Sequence, residues 1–221
     1  MLEDRIFSTL DQPFFSWGRG SQSEVFLSRD GEWVIKIPRN KKCRPYLLGR
    51  FRKNSRGQRG CLESYLTAAR ELADETAVLY VHRGEPFAMP NQFGLYDRLG
   101  RKMVLEPTYF SFALQKRKPL LSEKLEAANL EEAKKILSSL LNLIEAERQK
   151  GWVCSDYAFT LNFGYEDCRA FRIDIGSYLP VDASYSWKAI AKPIDKYLEH
   201  MAESSLQEWW HQEIAERQSH L

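Results

Sequence analysis

Phe171-Arg172-Ile173-Asp174-Ile175-Gly176 is the stretch on which the reading of this chain turns, a short apolar run that closes on an aspartate and a glycine. A carboxylate at the end of an apolar strand, just before a glycine turn, has a fixed backbone and a free head, which suits it to meet a divalent cation. Asp156 and Asn162 precede it, six residues apart (162 − 156), and Asp174 follows twelve residues later (174 − 162). Taken singly these are ordinary features, since Asp-x-Gly is common and Asn162-Phe163-Gly164 also reads as a plain loop. Much earlier comes Gly18-Arg19-Gly20-Ser21-Gln22-Ser23-Glu24-Val25, set between two strand-like runs. Glycines there let the backbone approach a ligand and offer N–H groups to phosphate oxygens. They read equally as a hairpin turn. Lys36 lies in Trp33-Val34-Ile35-Lys36-Ile37, where Val34 and Lys36 share one face of a strand and Ile35 and Ile37 the other. A lysine at that position sits at a sheet edge in water or meets an anion, because an unpaired buried ammonium is costly.

Around these residues the periodicity predicts an α+β chain. Strands are expected over 14–18, 24–28 and 32–38, with Arg29-Asp30-Gly31 as a hairpin turn and Pro38 as the stop. Arg39 to Arg59 carries nine basic residues and no acidic one. Pro45, Gly49 and Gly57 make it a poor helix, so a mobile basic insertion is expected. A helical stripe then spans Leu62 to Ala77, and short strands are expected over 78–82, 92–96 and 102–105, with Asp97 to Gly100 turning between the last two. The helix over 130–150 has the strongest signature: Ala133, Ile136, Leu137, Leu140, Leu141 and Ile144 in register, Asn129 and Glu132 as a capping box, and Gly151 as the stop. Two β-like runs follow, around Trp152-Val153 and over 170–173. Helices are expected over 186–202, interrupted near Pro193, and over 205–218 with a Ser205/Glu208 cap. Trp209-Trp210 reads as core packing or as an exposed partner contact. The chain thus divides into a strand-rich half with one helix, 1–106, and a helical half, 107–221, joined at a hinge, Glu106-Pro107.

Bulk properties exclude several classes. With 221 residues, 43% of them hydrophobic, the chain can bury a core as one domain with two small lobes. A net charge of +2 implies no global polyelectrolyte partner. Cys43, Cys61, Cys154 and Cys168 form no C-x-x-C pair, and the four histidines are scattered, which points to reduced thiols in a cytoplasmic protein rather than a zinc site. The opening residues, with Glu3 and Asp4, do not read as a signal peptide, and no apolar run approaches the roughly 20 residues of a membrane span.

The ordered set of glycine turn, strand lysine, helix glutamate, Asp…Asn loop and Asp-x-Gly resembles the protein-kinase-like superfamily over roughly residues 14 to 180. In style it is most similar to small bacterial kinase-like proteins, such as the PhoP-regulatory-network kinase-like family. The resemblance implies a two-lobed fold, with a strand-rich N-lobe and a reduced helical C-lobe, that binds ATP and Mg²⁺. Gly18, Gly20 and Lys36 would then hold phosphates. Glu63 would pair with Lys36, with Glu71 as the rival that spacing to the hinge favours. The backbone at Glu106 would hold adenine, Asp156 would orient or deprotonate an acceptor hydroxyl, and Asn162 and Asp174 would ligate the metal.

The departures shape the alternatives. Ser23 replaces the third glycine, Cys154-Ser155 replaces His-Arg, and the Asp-to-Asn spacing is one residue longer than in kinases. No Ala-Pro-Glu follows, and 45 residues remain after Gly176 (221 − 176), too few for the usual protein-substrate platform. The expectation is phosphoryl transfer to a protein or small-molecule hydroxyl. One alternative is a pseudokinase that acts as a binding or regulatory module. Another is an anion- or nucleic-acid-binding protein working through residues 39–59, a run that otherwise reads as a solvated loop.

Overall fold

The computed structural model describes residues 2–20, 22–39, 56–85, 88–103, 110–156, 158–181, 187–201 and 203–219. They fall into two compact units, Met1–Arg117 and Lys118–Leu221. The boundary lies well past the expected hinge at Glu106-Pro107, and that pair lies outside the described residues.

The first unit is built on a six-stranded sheet. Its strands are β1 (Pro13–Arg19), β2 (Ser23–Ser28), β3 (Trp33–Pro38), β4 (Val78–His82), β5 (Gly94–Tyr96) and β6 (Phe112–Lys116), in the order β4-β6-β3-β2-β1-β5. All neighbours are antiparallel except β1 and β5. Strands β1 to β3 and the turn at Gly31, with φ +76°, follow the sequence pattern. Asp30 closes that turn by accepting from Ser28 Oγ at 2.6 Å and Glu32 N at 3.0 Å. Two elements were not foreseen. One is α1 (Leu2–Leu10), which lays Ile6 and Leu10 on the core of Phe14, Phe26, Ile35, Leu95 and Phe112. The other is β6, an interior strand buried from Phe112 to Gln115. The buried Gln115 side chain donates its Nε2 to Thr76 O at 2.6 Å.

The helix expected over 62–77 is displaced. It runs as α2 (Arg56–Arg70), so the last residues of the basic run belong to a helix rather than to a loop, and a separate turn, α3 (Ala73–Thr76), follows. Ala77, with φ +53° in the left-handed region, ends α3 and leads directly into β4. Most of the basic segment, 40–55, lies outside the described residues.

The second unit packs α4 (Leu121–Glu126), α5 (Leu130–Gln149), α7 (Trp187–Met201) and α8 (Ser204–Ser219) around one core. Helix α5 is capped as its sequence indicates: Asn129 Oδ1 accepts from Glu132 N at 3.0 Å, Glu132 Oε2 accepts from Asn129 N at 3.2 Å, and Gly151, at φ +86°, follows the C-cap. Leu137, Leu140 and Leu141 are fully buried, each contributing roughly 1.5–3 kcal/mol by leaving water. Pro193 does not interrupt α7, which is continuous through it. In α8 the first carbonyl bonds go to Glu203 O, not through a Ser205 cap. Trp210 is wholly buried and donates to Asp195 Oδ1 at 2.7 Å, while Trp209 packs part-buried on the same core.

Against these helices lie two hairpin-like ribbons. Strand β7 (Trp152–Cys154) pairs with β10 (Tyr178–Pro180), and β8 (Phe163–Glu166) pairs with β9 (Arg169–Arg172). The β8–β9 turn places Asp167 and Cys168 at φ +50° and +59°, the geometry of a two-residue hairpin turn without its usual glycine. Between β7 and β8 stands one helical turn, α6 (Phe159–Asn162). Among the described residues, no helix is long and apolar enough to cross a membrane.

Candidate functional site

In the first unit, three of the singled-out positions align across the sheet. Gly18 pairs with Val25, Val25 with Lys36, and Lys36 with Ala113, so the glycine segment and the lysine lie at one level on three adjacent strands. Ile35 belongs to the core under α1, and strand alternation therefore puts Lys36 on the opposite face with Val34. Helix α2 packs against β3 and β4, and its buried apolar residues are Cys61, Tyr65, Leu66 and Ala68.

The glycine turn is tight. Gly20 N donates to Ser23 O within the turn at 2.9 Å, and Gly20 O accepts from Arg39 Nη1, just past β3, at 2.8 Å. A Cβ at Gly18 would meet nothing within 4 Å, and one at Gly20 would come no closer than 3.7 Å to Ser23 O. Neither glycine has a positive φ. Backbone geometry therefore does not demand glycine at either position.

Glu63 is the sole carboxylate of α2 and lies on its exposed side, away from the buried row of Cys61, Ser64, Tyr65 and Ala68. Glu71 follows the end of the helix and is also exposed. The apolar stripe suggested Glu63 because Leu66 lies one turn later, but the buried face is centred on Cys61, Tyr65 and Ala68, which turns Glu63 outward. Glu106 lies outside the described residues.

The second unit brings Asp156, Asn162 and Asp174 together through backbone and side-chain bonds. Asn162, 4% exposed, donates its Nδ2 to Asp156 O at 3.2 Å. Its own carbonyl accepts from Ile173 N at 2.9 Å and Asp174 N at 3.4 Å. The extra residue in the Asp-to-Asn spacing is taken up by α6, whose Asn162 N bonds Ala158 O at 3.1 Å. The longer loop thus still returns Asn162 to Asp156. Asp156 Oδ1 accepts from Ala158 N at 3.1 Å, and Asp174 Oδ1 from Gly176 N at 3.2 Å. Each carboxylate is fixed through one oxygen, and Ile175 is fully buried beneath the Asp174 turn. Ser155 N and Oγ both donate to Ser177 O, at 3.0 and 3.2 Å, tying the loop that carries Asp156 to the segment after Gly176.

A buried network missed in the sequence lies behind these loops. Arg172 and Glu147, at 0% and 1% side-chain exposure, form a two-point ion pair: Nε to Oε1 at 3.1 Å and Nη2 to Oε2 at 2.6 Å. Tyr178 also donates to Glu147 Oε1, and the Arg172 guanidinium lies over the Phe163 ring at 4.3 Å. Burial opposes the charge on Arg172, yet the Glu147 carboxylate prevails and holds the guanidinium well above its ordinary pKa. Burial, with Glu147 adding to it, raises the Tyr178 phenol well above its ordinary value. Burial likewise pushes the Cys154 thiol up to about 11, against the opposing field of Arg172. The available signal was the pairing of a helix glutamate, Glu147, on the apolar side of α5 with a strand arginine in an apolar run.

Oxygen donors such as the Asn162 carbonyl and the Asp174 carboxylate suit a hard cation like Mg²⁺, which takes few protein ligands and completes its shell with phosphate and water. Among the described residues no three His, Cys, Asp or Glu side chains form an all-protein metal cage.

No protein-family pattern matches this chain, and neither does any curated protein. Solved structures do. WbdD is similar over 83% of this chain at 18% identity and a TM-score of 0.50, and the chain spans only 37% of that structure. A second structure of WbdD, described as a bifunctional kinase-methyltransferase, has 17% identity over 79% of this chain and 33% of its own, with a TM-score of 0.44. The ROP18 kinase domain, solved with AMP-PNP and sucrose, has 16% identity over 77% of this chain and 52% of its own, with a TM-score of 0.43. The fold is α+β and protein-kinase-like.

Proposed function

We propose that this chain is an ATP- and Mg²⁺-binding, kinase-like phosphotransferase acting on a hydroxyl of a protein or small molecule. The observation that carries the reading is the bonded set Asp156–Asn162–Asp174, in which a loop of altered spacing still delivers the Asn162 side-chain amide to the Asp156 carbonyl and the Asn162 backbone carbonyl to the Asp174 N–H. In this proposal Lys36 neutralises phosphate charge, and Gly18, aligned with it on the sheet, leaves room for a ligand to approach β1. Asn162 offers Oδ1 to the metal because its Nδ2 is committed to Asp156 O, and Asp174 offers Oδ2 because Oδ1 is held by Gly176 N. Asp156, fixed through Oδ1, presents Oδ2 to orient or accept the proton of the acceptor hydroxyl. Bound Mg²⁺ would supply charge neutralisation on the transferred phosphoryl group. The chain's own contribution is positioning.

One observation favours a second reading, a nucleotide-binding pseudokinase: Gly20 uses its N–H inside the turn. In the phosphotransferase reading, Lys36 pairs with Glu63, on the exposed side of α2, or with its rival Glu71, which follows that helix.

The test is a thermal-shift titration with millimolar ATP, with and without Mg²⁺, followed by turnover of labelled ATP. Ligand binding to the native state must raise its melting temperature. Stabilisation that requires Mg²⁺ and is lost in Asp174→Ala supports the metal site, and turnover separates the enzyme from the pseudokinase. No stabilisation of the wild-type chain by Mg²⁺ and ATP would sink both.

A further inference from the structure

Each of the three grouped residues has a close chain neighbour in or beside the buried Glu147 network. Cys154 lies two residues before Asp156 and pairs with Tyr178 in the β7–β10 register. Phe163 follows Asn162 and lies under the Arg172 guanidinium. Arg172 lies two residues before Asp174, and Tyr178 lies four after it. Arg172 and Tyr178 both bond the same carboxylate, so the turn that carries Asp174 is held on each flank by one side chain of α5.

We infer that Glu147 is a positioning residue for metal binding: from α5 it sets the spacing between Asn162 Oδ1 and the Asp174 carboxylate. This inference rests on the proposed metal-nucleotide reading and deepens it. A buried ion pair can also serve fold alone, and replacing one by apolar residues of similar volume is often neutral for stability. That separates the two roles. A purely structural pair can be exchanged for a packed apolar pair with no effect on the metal. A positioning pair cannot, because apolar packing lacks the two directed bonds from Arg172 and the one from Tyr178 that fix both flanks of the turn.

The experiment compares the full-length chain with the double variant Glu147→Leu/Arg172→Met and with the milder Tyr178→Phe, which removes one hydroxyl. For each, the Mg²⁺ midpoint is measured at fixed ATP by thermal shift or calorimetry, alongside ATP affinity without metal. Hydrogen exchange over 171–177 and over α8 distinguishes local loosening from general unfolding. We expect the double variant to raise the Mg²⁺ midpoint by about tenfold or more and Tyr178→Phe by a few-fold, as is usual for partners that orient metal ligands. Metal-free ATP affinity should hold, with faster exchange over 171–177 than over α8. A folded double variant with an unchanged Mg²⁺ midpoint overturns the inference, as does a midpoint change matched by equal loosening of α8. If the wild-type chain shows no Mg²⁺-dependent ATP binding, the functional reading itself fails and the positioning role falls with it. If the double variant does not fold, Tyr178→Phe decides: an unchanged Mg²⁺ midpoint there is equally fatal.

Discussion

Gly164→Ala should destabilise the chain by about 1.3 kcal/mol, and the reason lies in how closely the start of the second unit crosses β8. A Cβ at position 164 would come 2.5 Å from Lys118 Cβ, 3.1 Å from Ile173 Cγ2 and 3.2 Å from Pro119 O. The first of these is a backbone-anchored atom that cannot swing aside. Lys118 is itself held, by an ion pair with Glu166 and by packing over Phe171 at 4.2 Å. Pro119 O accepts from Tyr165 N at 2.9 Å, and Leu120 bridges Gly164, so the strap 118–120 cannot lift without losing bonds. Overpacking of this kind costs roughly 1–3 kcal/mol, and the reduced freedom of the unfolded chain returns about 0.4–1 kcal/mol. For a chain of this size the net effect lowers the melting temperature by roughly 3–5 °C. Gly60→Ala is the control. It sits in α2 with nothing within 4 Å of its added Cβ, and should gain about 0.5–1 kcal/mol from helix propensity. The assay is paired thermal and urea denaturation. A Gly164→Ala chain melting within about 1 °C of wild type would refute the close approach.

Three further outcomes follow from the second unit. Glu147→Ala strands the Arg172 charge in the core and should cost about 3–5 kcal/mol, read as a fall in the urea midpoint; a loss under about 1 kcal/mol would show that the pair is hydrated. Asn129→Ala removes half of the capping box on α5 and should cost about 1 kcal/mol in the same measurement, and no change would mean water replaces the cap. Cys154 titrates near 9.0 when unfolded and at about 11 when folded, so burial favours the neutral thiol. Its contribution is fully present below about pH 9 and is lost as pH rises towards about 11. On the order of 2 kcal/mol is at stake, and Cys154→Ala should flatten that part of the stability-pH curve; an identical slope in wild type and variant would count against the burial effect.

What was legible in the sequence depended on whether one local rule sufficed. Strand β3 is a short β-branched run between a glycine turn and Pro38, and α5 combines a 3.6-residue period with both caps, so each announces itself. Strand β6 does not alternate, because an interior strand can be buried on both faces, and a short apolar run reads equally as helix or strand. Missing β6 displaced the expected hinge to Glu106, whereas the compact units divide at Arg117 and Lys118. Helix α1 escaped because its core contacts, Ile6 and Leu10, are few and its other apolar residues, Leu2 and Phe7, face water. The order of Lys36, Asp156, Asn162 and Asp174 was readable, as was the class of fold they implied. The outward turn of Glu63 was not, since it depends on where α2 begins. The Glu147–Arg172 pair was not either, since each charge shows locally on an apolar face but nothing local says that the two meet.

A crystal structure with a non-hydrolysable ATP analogue and Mg²⁺ tests the central claim most directly. The account predicts one cation ligated by both Asn162 Oδ1 and an Asp174 carboxylate oxygen at roughly 2.0–2.1 Å, with the remaining positions taken by phosphate and water. A nucleotide bound with its metal away from both residues would contradict it.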